Sequence, residues 1–169
     1  MNRRIYLVLI LLCITLLSTF AADDVLATEL AVRAQTAMSA PDYLVTPGDI
    51  YTLAFMAGTK EVEYIFTVDT SYRVRVVNMG IIDASGMTYL ELKKKVESII
   101  TANYPLSGVQ FALKTPATFT VTVRGEVGAT YRTSVWALQR LSQVIKDLTP
   151  IASVRDVEVQ STNGHKTTK

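Results

Sequence analysis

The chain has 169 residues, of which 49% are hydrophobic, and it carries 17 basic and 15 acidic side chains. This length predicts one domain or two small ones, and a single cysteine, Cys13, excludes a disulfide framework. The only basic run, Lys93–Lys95, is too short for a nucleic-acid-binding surface, so we expect no nucleic acid as a partner.

Residues 1–21 have the pattern of a cleavable secretory signal. Arg3 and Arg4 precede the apolar run Ile5–Leu17, and the small residues Thr19 and Ala21 flank a cleavage position. A retained membrane anchor is the alternative, but the run falls short of the about 20 residues that span a bilayer. Cleavage after Ala21 removes two of the 17 basic residues and leaves 15 against 15 acidic ones, a net charge near zero.

Lipidation at Cys13 is a further alternative for the N-terminus. Bacterial lipoprotein signals have a small residue before the cysteine, whereas Leu12 stands there and apolar residues continue beyond it. We therefore interpret Cys13 as part of the signal core.

Residues 22–41 form a lead-in segment. It is rich in alanine and has Val25, Leu26 and Leu30 at helical spacing, which allows a short helix. No strong cap precedes it and Pro41 ends it, so we expect a loosely ordered segment.

The next stretch predicts a turn followed by four strands. Pro47-Gly48-Asp49 combines a preset φ, a residue that tolerates positive φ and a side chain that bonds its own backbone. Alternating or apolar runs then predict strands at Ile50–Phe55, Glu61–Val68, Tyr72–Val77 and Ile81-Ile82. The sequence Thr88-Tyr-Leu-Glu91 is a capping box and predicts a helix over Thr88–Asn103. A further strand carries Val109, Phe111 and Leu113.

Pro116 marks a boundary, after which residues 117–169 read as a second module. We expect a strand at Thr118–Glu126 with Phe119, Val121 and Val123 facing inward, a tight turn into Thr130–Thr133, a helix capped by Ser134, and a strand at Val154–Gln160. Asn163-Gly164 is a hairpin signal, but few residues follow it. We therefore interpret the second module as incomplete: either the chain is a fragment of a longer protein, or the terminal hairpin is degenerate.

These motifs, taken in order, resemble the outer-membrane polysaccharide export protein family. Asp42-Tyr-Leu-Val-Thr-Pro-Gly-Asp-Ile resembles the opening of the polysaccharide export domain, and Val68-Asp69, Gly80 and Gly86-Met-Thr88-Tyr-Leu-Glu91-Leu92 resemble its later motifs. Thr118–Glu126 with Gly125-Glu126-Val127 resembles the start of the soluble-ligand-binding β-grasp (SLBB) module that follows it. The family pattern departs at Thr70-Ser71-Tyr72, where relatives often have Asp-Gly.

The resemblance implies an α+β fold with an export domain at residues 42–116 and a partial SLBB β-grasp module at 117–169. It implies a periplasmic, outer-membrane-associated component of a capsular or exopolysaccharide export channel, which works as a homo-oligomeric ring around the polymer. An inner-membrane polysaccharide copolymerase is the further partner that family analogy suggests. The family's pore helix at the C-terminus has no counterpart in this sequence.

The residues themselves offer little for catalysis, so we predict that the chain is not an enzyme and uses no cofactor or metal. His165 lies in a polar tail, and Glu61 and Glu63, two acids on one strand face, are more typical of a solvated edge. Pro47, Gly48 and Asp49 are interpreted as fixing the opening turn, without a chemical role.

Three residues are candidates for contacts with a partner. Arg73 and Arg75 share a strand face, where they could pair with Glu61 and Glu63 across a hairpin, bridge subunits, or touch an anionic polymer. Trp136, like Tyr131, could stack on sugar rings, although such aromatics are more often core or interface residues.

A second function class also fits the sequence. The chain could be a monomeric periplasmic module that binds a glycan or a small ligand. Concentration-dependent oligomerisation would favour the export ring, whereas a monomer that binds glycan would favour the binding module.

Overall fold

The computed structural model describes residues 25–152, 157–160 and 166–168. The predicted signal, Cys13, the Asn163-Gly164 turn, His165 and the start of the predicted Val154–Gln160 strand lie outside the described residues. The described chain combines helices and strands, which confirms the predicted α+β class. It divides into two compact units, the first ending at Ala117 and the second beginning at Thr118.

In the described residues of the first unit, one helix precedes the strands and one lies between them. Its elements in chain order are α1 (25–39), β1 (Ile50–Ala57), β2 (Lys60–Thr67), β3 (Arg73–Arg75), a 3-10 turn (Val77–Met79), β4 (Ile81–Asp83), α2 (Tyr89–Asn103) and β5 (Gln110–Thr115). The strands form an antiparallel sheet in the order β2-β1-β5 and a separate β3-β4 pair.

The core of this unit lies between β1, β5 and α2. Tyr51, Leu53 and Phe55 of β1 are buried, as the two-residue period of a strand requires. Helix α2 buries Tyr89, Leu92, Val96 and Ile100 at helical spacing. The rings of Tyr51, Tyr89 and Phe111 stack nearly parallel, with centroids 5.1–6.3 Å apart. Aromatic pairs at such distances add to the stability that burial itself gives.

The start of α2 follows the predicted capping box. The Thr88 hydroxyl accepts a hydrogen bond from Glu91 N, and the Glu91 carboxylate accepts one from Thr88 N at 2.8 Å. This second hydrogen bond is the largest cause that holds the pKa of Glu91 below its ordinary value. The prediction of this helix and its first turn is confirmed.

The expectation of a loosely ordered lead-in is wrong, because residues 25–39 are helical. Ala34 and Ala37 are buried, and the Met38 sulfur accepts a hydrogen bond from Leu113 N of β5 at 3.3 Å. Contact with the sheet therefore stabilises a helix that lacks a strong cap signal, since packing supplies most of the stability of short helices.

The predicted strand Tyr72–Val77 is shorter in the structure. Asp69 accepts hydrogen bonds from Ser71 N and Arg73 N, both at 2.8 Å, and Tyr72 has a positive φ of 59°. This tight turn delays the strand to Arg73–Arg75, and the 3-10 turn from Val77 ends it.

The second unit begins with a hairpin. Strand β6 (Thr118–Val123) pairs antiparallel with β7 (Tyr131–Trp136), then come the short helix α3 (Leu141–Val144) and the pair of β8 (Glu158–Gln160) with β9 (Lys166–Thr168). Phe119, predicted to face inward, is 46% exposed, whereas its cross-strand neighbour Val135 is buried.

The predicted helix that begins at Ser134 is wrong. Ser134 lies inside β7 opposite Thr120, and the described part of the second unit is helical only at Leu141–Val144. The alternation of Tyr131, Thr133 and Val135 suits a strand, and the ladder with β6 prevails over the helical spacing of the later leucines.

Candidate functional site

The motif turn occupies Thr46–Asp49. Asp49 N donates to Thr46 O at 3.0 Å, and Gly48 has a φ of 94°. Proline followed by a residue with positive φ defines a type II turn, in which glycine avoids the strain of a side chain. A Cβ added at Gly48 would also lie 3.4 Å from the Cβ of Ala117.

The Asp49 side chain is the one fully buried charged group among the described residues. Its Oδ1 accepts hydrogen bonds from the Tyr43 hydroxyl at 2.8 Å and from Ala117 N at 2.7 Å. Its Oδ2 accepts from Thr46 N at 2.9 Å and from the Tyr51 hydroxyl at 3.1 Å. A carboxylate can accept about four hydrogen bonds, so this group is fully satisfied by donors.

We call Asp49 with these four donors the Asp49 cluster. Burial is the largest cause that raises the pKa values of Tyr43 and Tyr51, and the charge of Asp49 raises them further. Both phenols therefore remain protonated donors at any physiological pH. The cluster joins the chain before β1 to the segment after β5, where Pro116 and Ala117 are both buried.

This arrangement extends the interpretation of Pro47-Gly48-Asp49 as a turn. The turn is present, but the Asp49 side chain also holds the last residue of the first unit, 68 positions along the chain. Tyr43, Tyr51 and Ala117 have no distinctive spacing in the sequence, so their roles were missed. The sequence signal that could have predicted the cluster is an acidic residue, Asp49, with a tyrosine on either side of it in the chain.

Arg73 and Arg75 lie on the exposed face of β3 and line a shallow groove of about 220 Å³ with Thr67, Asp69 and Ile81. The Arg73 Nε donates to the Asp69 carboxylate at 3.0 Å, and Asp83 is the cross-strand neighbour of Arg73. Within the described residues, the side chain of Arg75 has no hydrogen-bond or ion-pair partner.

The predicted pairing of these arginines with Glu61 and Glu63 is wrong. β3 pairs with β4, and Glu61 and Glu63 lie opposite Met56 and Ala54 of β1. Hydrogen bonds from the backbone and side chain of Arg73 lower the pKa of Asp69, the backbone bond being the largest cause. In the groove, Asp69 therefore neutralises the charge of Arg73, whereas Arg75 has no partner among the described side chains.

Trp136 belongs to the second unit, at the end of β7, and is half-buried. Its backbone carbonyl accepts from Gln139 N at 3.0 Å. The hydroxyl of Tyr131 donates to Val144 O and accepts from Lys146 N, so this aromatic fastens the segment after the hairpin. These bonds give Tyr131 a structural role.

Two general features complete the description of the site. Within the described ranges, no group of three or more His, Cys, Asp or Glu side chains is placed to hold a metal ion. The same residues include no helix of a length and apolarity that would let it cross a membrane.

Comparison with known protein families, with curated proteins and with solved structures finds no match to this chain.

Proposed function

We propose that this chain is a component of a polysaccharide export system in the periplasm, associated with the outer membrane. It acts by assembling with further copies of itself around the exported polymer, without making or breaking bonds. An inner-membrane polysaccharide copolymerase is its proposed partner.

The observation that carries this proposal is the Asp49 cluster. The first motif of the resembling series contains the carboxylate that joins the chain before β1 to the segment after β5. A second motif of the series, the capping box of Thr88 and Glu91, begins the helix that covers the sheet. The motifs thus occupy positions on which one common framework depends, as expected if the resemblance reflects a shared fold.

The proposal is tested by deleting the coding sequence in the source organism and measuring polysaccharide at the cell surface and in the periplasm. We expect surface polysaccharide to fall and to return when the wild-type sequence is supplied in trans. Unchanged surface polysaccharide in the deletion strain would refute the proposal.

The groove between β2 and β3 favours a second candidate, a monomeric module that binds an anionic glycan. Arg75 offers there a guanidinium that no described side chain pairs with, and Thr67 offers a hydroxyl. Arginine binds carboxylates and phosphates through paired hydrogen bonds. A strictly monomeric chain that binds uronic-acid oligosaccharides, and loses this binding in Arg75→Gln, would favour the second candidate.

A further inference from the structure

The two edges of the β2-β1-β5 sheet differ in what lies against them. Helix α1 lies against β5, where the Met38 sulfur accepts the outward N–H of Leu113. At the opposite edge, none of the described residues forms a strand that pairs with the outer side of β2. An uncovered edge presents unpaired N–H and C=O groups to any strand that can approach it.

The hydrogen bonds at the end of β2 identify which backbone groups face outward. Val68 N donates to Asp49 O, and Val68 O accepts from Gly48 N, both at 3.0 Å, so the peptide groups of Val68 point toward β1. In an antiparallel pair this direction alternates from residue to residue. The outward N–H and C=O groups of β2 therefore belong to Glu61, Glu63, Ile65 and Thr67.

The outer edge is protected by charge over only half of its length. Lys60, Glu61 and Glu63 occupy its beginning, whereas Tyr64 to Thr67 contains no charged side chain. Ile65 is 57% exposed and Tyr64 is 36% exposed. Natural sheets discourage edge pairing with charges, prolines or bulges, and this half of the strand has none of these.

We infer that β2 pairs with β2 of a second copy of this chain, antiparallel about a two-fold axis at Tyr64. In this register the outward groups of Glu61 face those of Thr67, and the outward groups of Glu63 face those of Ile65. Moving the axis to Glu63 would place Glu63 opposite itself, and moving it to Val62 would place Glu61 opposite Glu63. Like charges directly opposite each other destabilise a sheet.

The same register also brings opposite charges together. Thr67 and Arg75 line the same groove. A second copy that places its Glu61 opposite Thr67 therefore also places the Glu61 carboxylate beside Arg75. The two-fold axis repeats this contact at the other end of the interface. Arg73 already pairs with Asp69 and lies opposite Asp83. Arg75 is therefore the arginine with which Glu61 of the second copy would pair.

This contact goes beyond the proposed function: it names one surface by which copies associate, and it does not by itself form the proposed assembly around the polymer. A two-fold contact closes on itself and gives a dimer. Larger assemblies would require a second surface on each copy.

The test is the mass of the protein in solution. It is measured by sedimentation over a wide concentration range, with protein expressed from the full-length coding sequence. We expect a dimer for the wild type. Glu61→Arg and Arg75→Glu should each raise the dimer dissociation constant about tenfold or more, because each places like charges together twice. The combined variant should restore the wild-type dissociation constant, because the charges are exchanged.

Two further variants act as controls. Glu63→Arg makes the same change of charge on the same face of β2 as Glu61→Arg. Residue 63 lies opposite Ile65 in the dimer, so this variant should weaken the dimer far less than Glu61→Arg. Ile65→Pro removes an outward N–H that β1 does not use, so it should abolish the dimer and leave the circular dichroism spectrum unchanged.

A wild type that is monomeric throughout would overturn this inference. So would an oligomer whose mass is unaffected by Ile65→Pro, or charge variants that the exchange does not rescue. In the last two cases assembly itself persists, so the proposed function survives the failed interface. Unchanged surface polysaccharide in the deletion strain would count against the function while leaving the dimer measurement valid.

Discussion

Replacing Asp49 with asparagine should destabilise the first unit strongly. The substitution keeps the size of the side chain but turns one acceptor oxygen into an NH₂ donor. Each carboxylate oxygen accepts hydrogen bonds from one tyrosine hydroxyl and one backbone N–H. In either orientation of the asparagine amide, the NH₂ group therefore faces one tyrosine hydroxyl and one backbone N–H. The hydroxyl can rotate and accept from the amide, whereas the backbone N–H cannot.

One buried backbone donor, at Thr46 or at Ala117, is therefore left without an acceptor. Such an orphan costs about 1–3 kcal/mol, and the remaining hydrogen bonds lose the contribution of the negative charge. We expect the free energy of unfolding to fall by about 3 kcal/mol, a large share of the about 5–15 kcal/mol typical of a domain.

Denaturant unfolding followed by far-ultraviolet circular dichroism measures this loss. Amide hydrogen exchange should locate it, with faster exchange at Thr46 or Ala117. Asp42→Asn is the matched control, because it makes the same change at an exposed aspartate seven positions earlier. The structural role of the cluster would be refuted if the free energies of unfolding of Asp49→Asn and this control differed by less than about 0.5 kcal/mol, the range of ordinary surface substitutions.

Gly48→Ala should cost about 1–3 kcal/mol, measured by denaturant unfolding, because alanine is strained at a φ of 94°; an unchanged midpoint would contradict the turn geometry. Thr88→Ala should cost about 1 kcal/mol in the same assay, since α2 loses its N-cap; full helicity and stability would argue against the cap. Tyr43, Tyr51 and Tyr89 have raised pKa values. In an ultraviolet absorbance titration they should stay protonated as the pH passes the ordinary value of 10.0, and stability should fall above that pH because only the unfolded chain releases these protons. Ionisation of every tyrosine of the folded chain near that pH would contradict this.

Local signals predicted the framework of the first unit well. The strands at β1, β2 and β5 were found because a strand alternates between faces, a property that neighbouring residues determine. The capping box placed the first residue of α2 because both of its hydrogen bonds join residues three positions apart. The turn at Pro47 and Gly48 was equally local.

Other features depended on contacts between distant segments. Residues 25–39 carry weak helix signals, and their helix depends on packing against β5. Ser134 has the chemistry of a helix cap, yet the ladder with Thr120 makes it part of a strand. Opposite charges at Glu61 and Arg75 suggested an internal hairpin pair, but β3 pairs with β4, and Asp69 holds the turn that separates β2 from β3.

The sequence by itself determined strands β1, β2 and β5, the start of α2 and the turn that opens the first unit, because these follow from the conformational preferences of adjacent residues. Only the tertiary structure decided that Asp49 gathers four donors. Its partners lie 2 to 68 positions away, and a buried carboxylate is stabilised only when the folded chain brings donors to both of its oxygens. The same holds for the edges of the sheet: α1 lies against β5, whereas no strand among the described residues pairs with the outer side of β2.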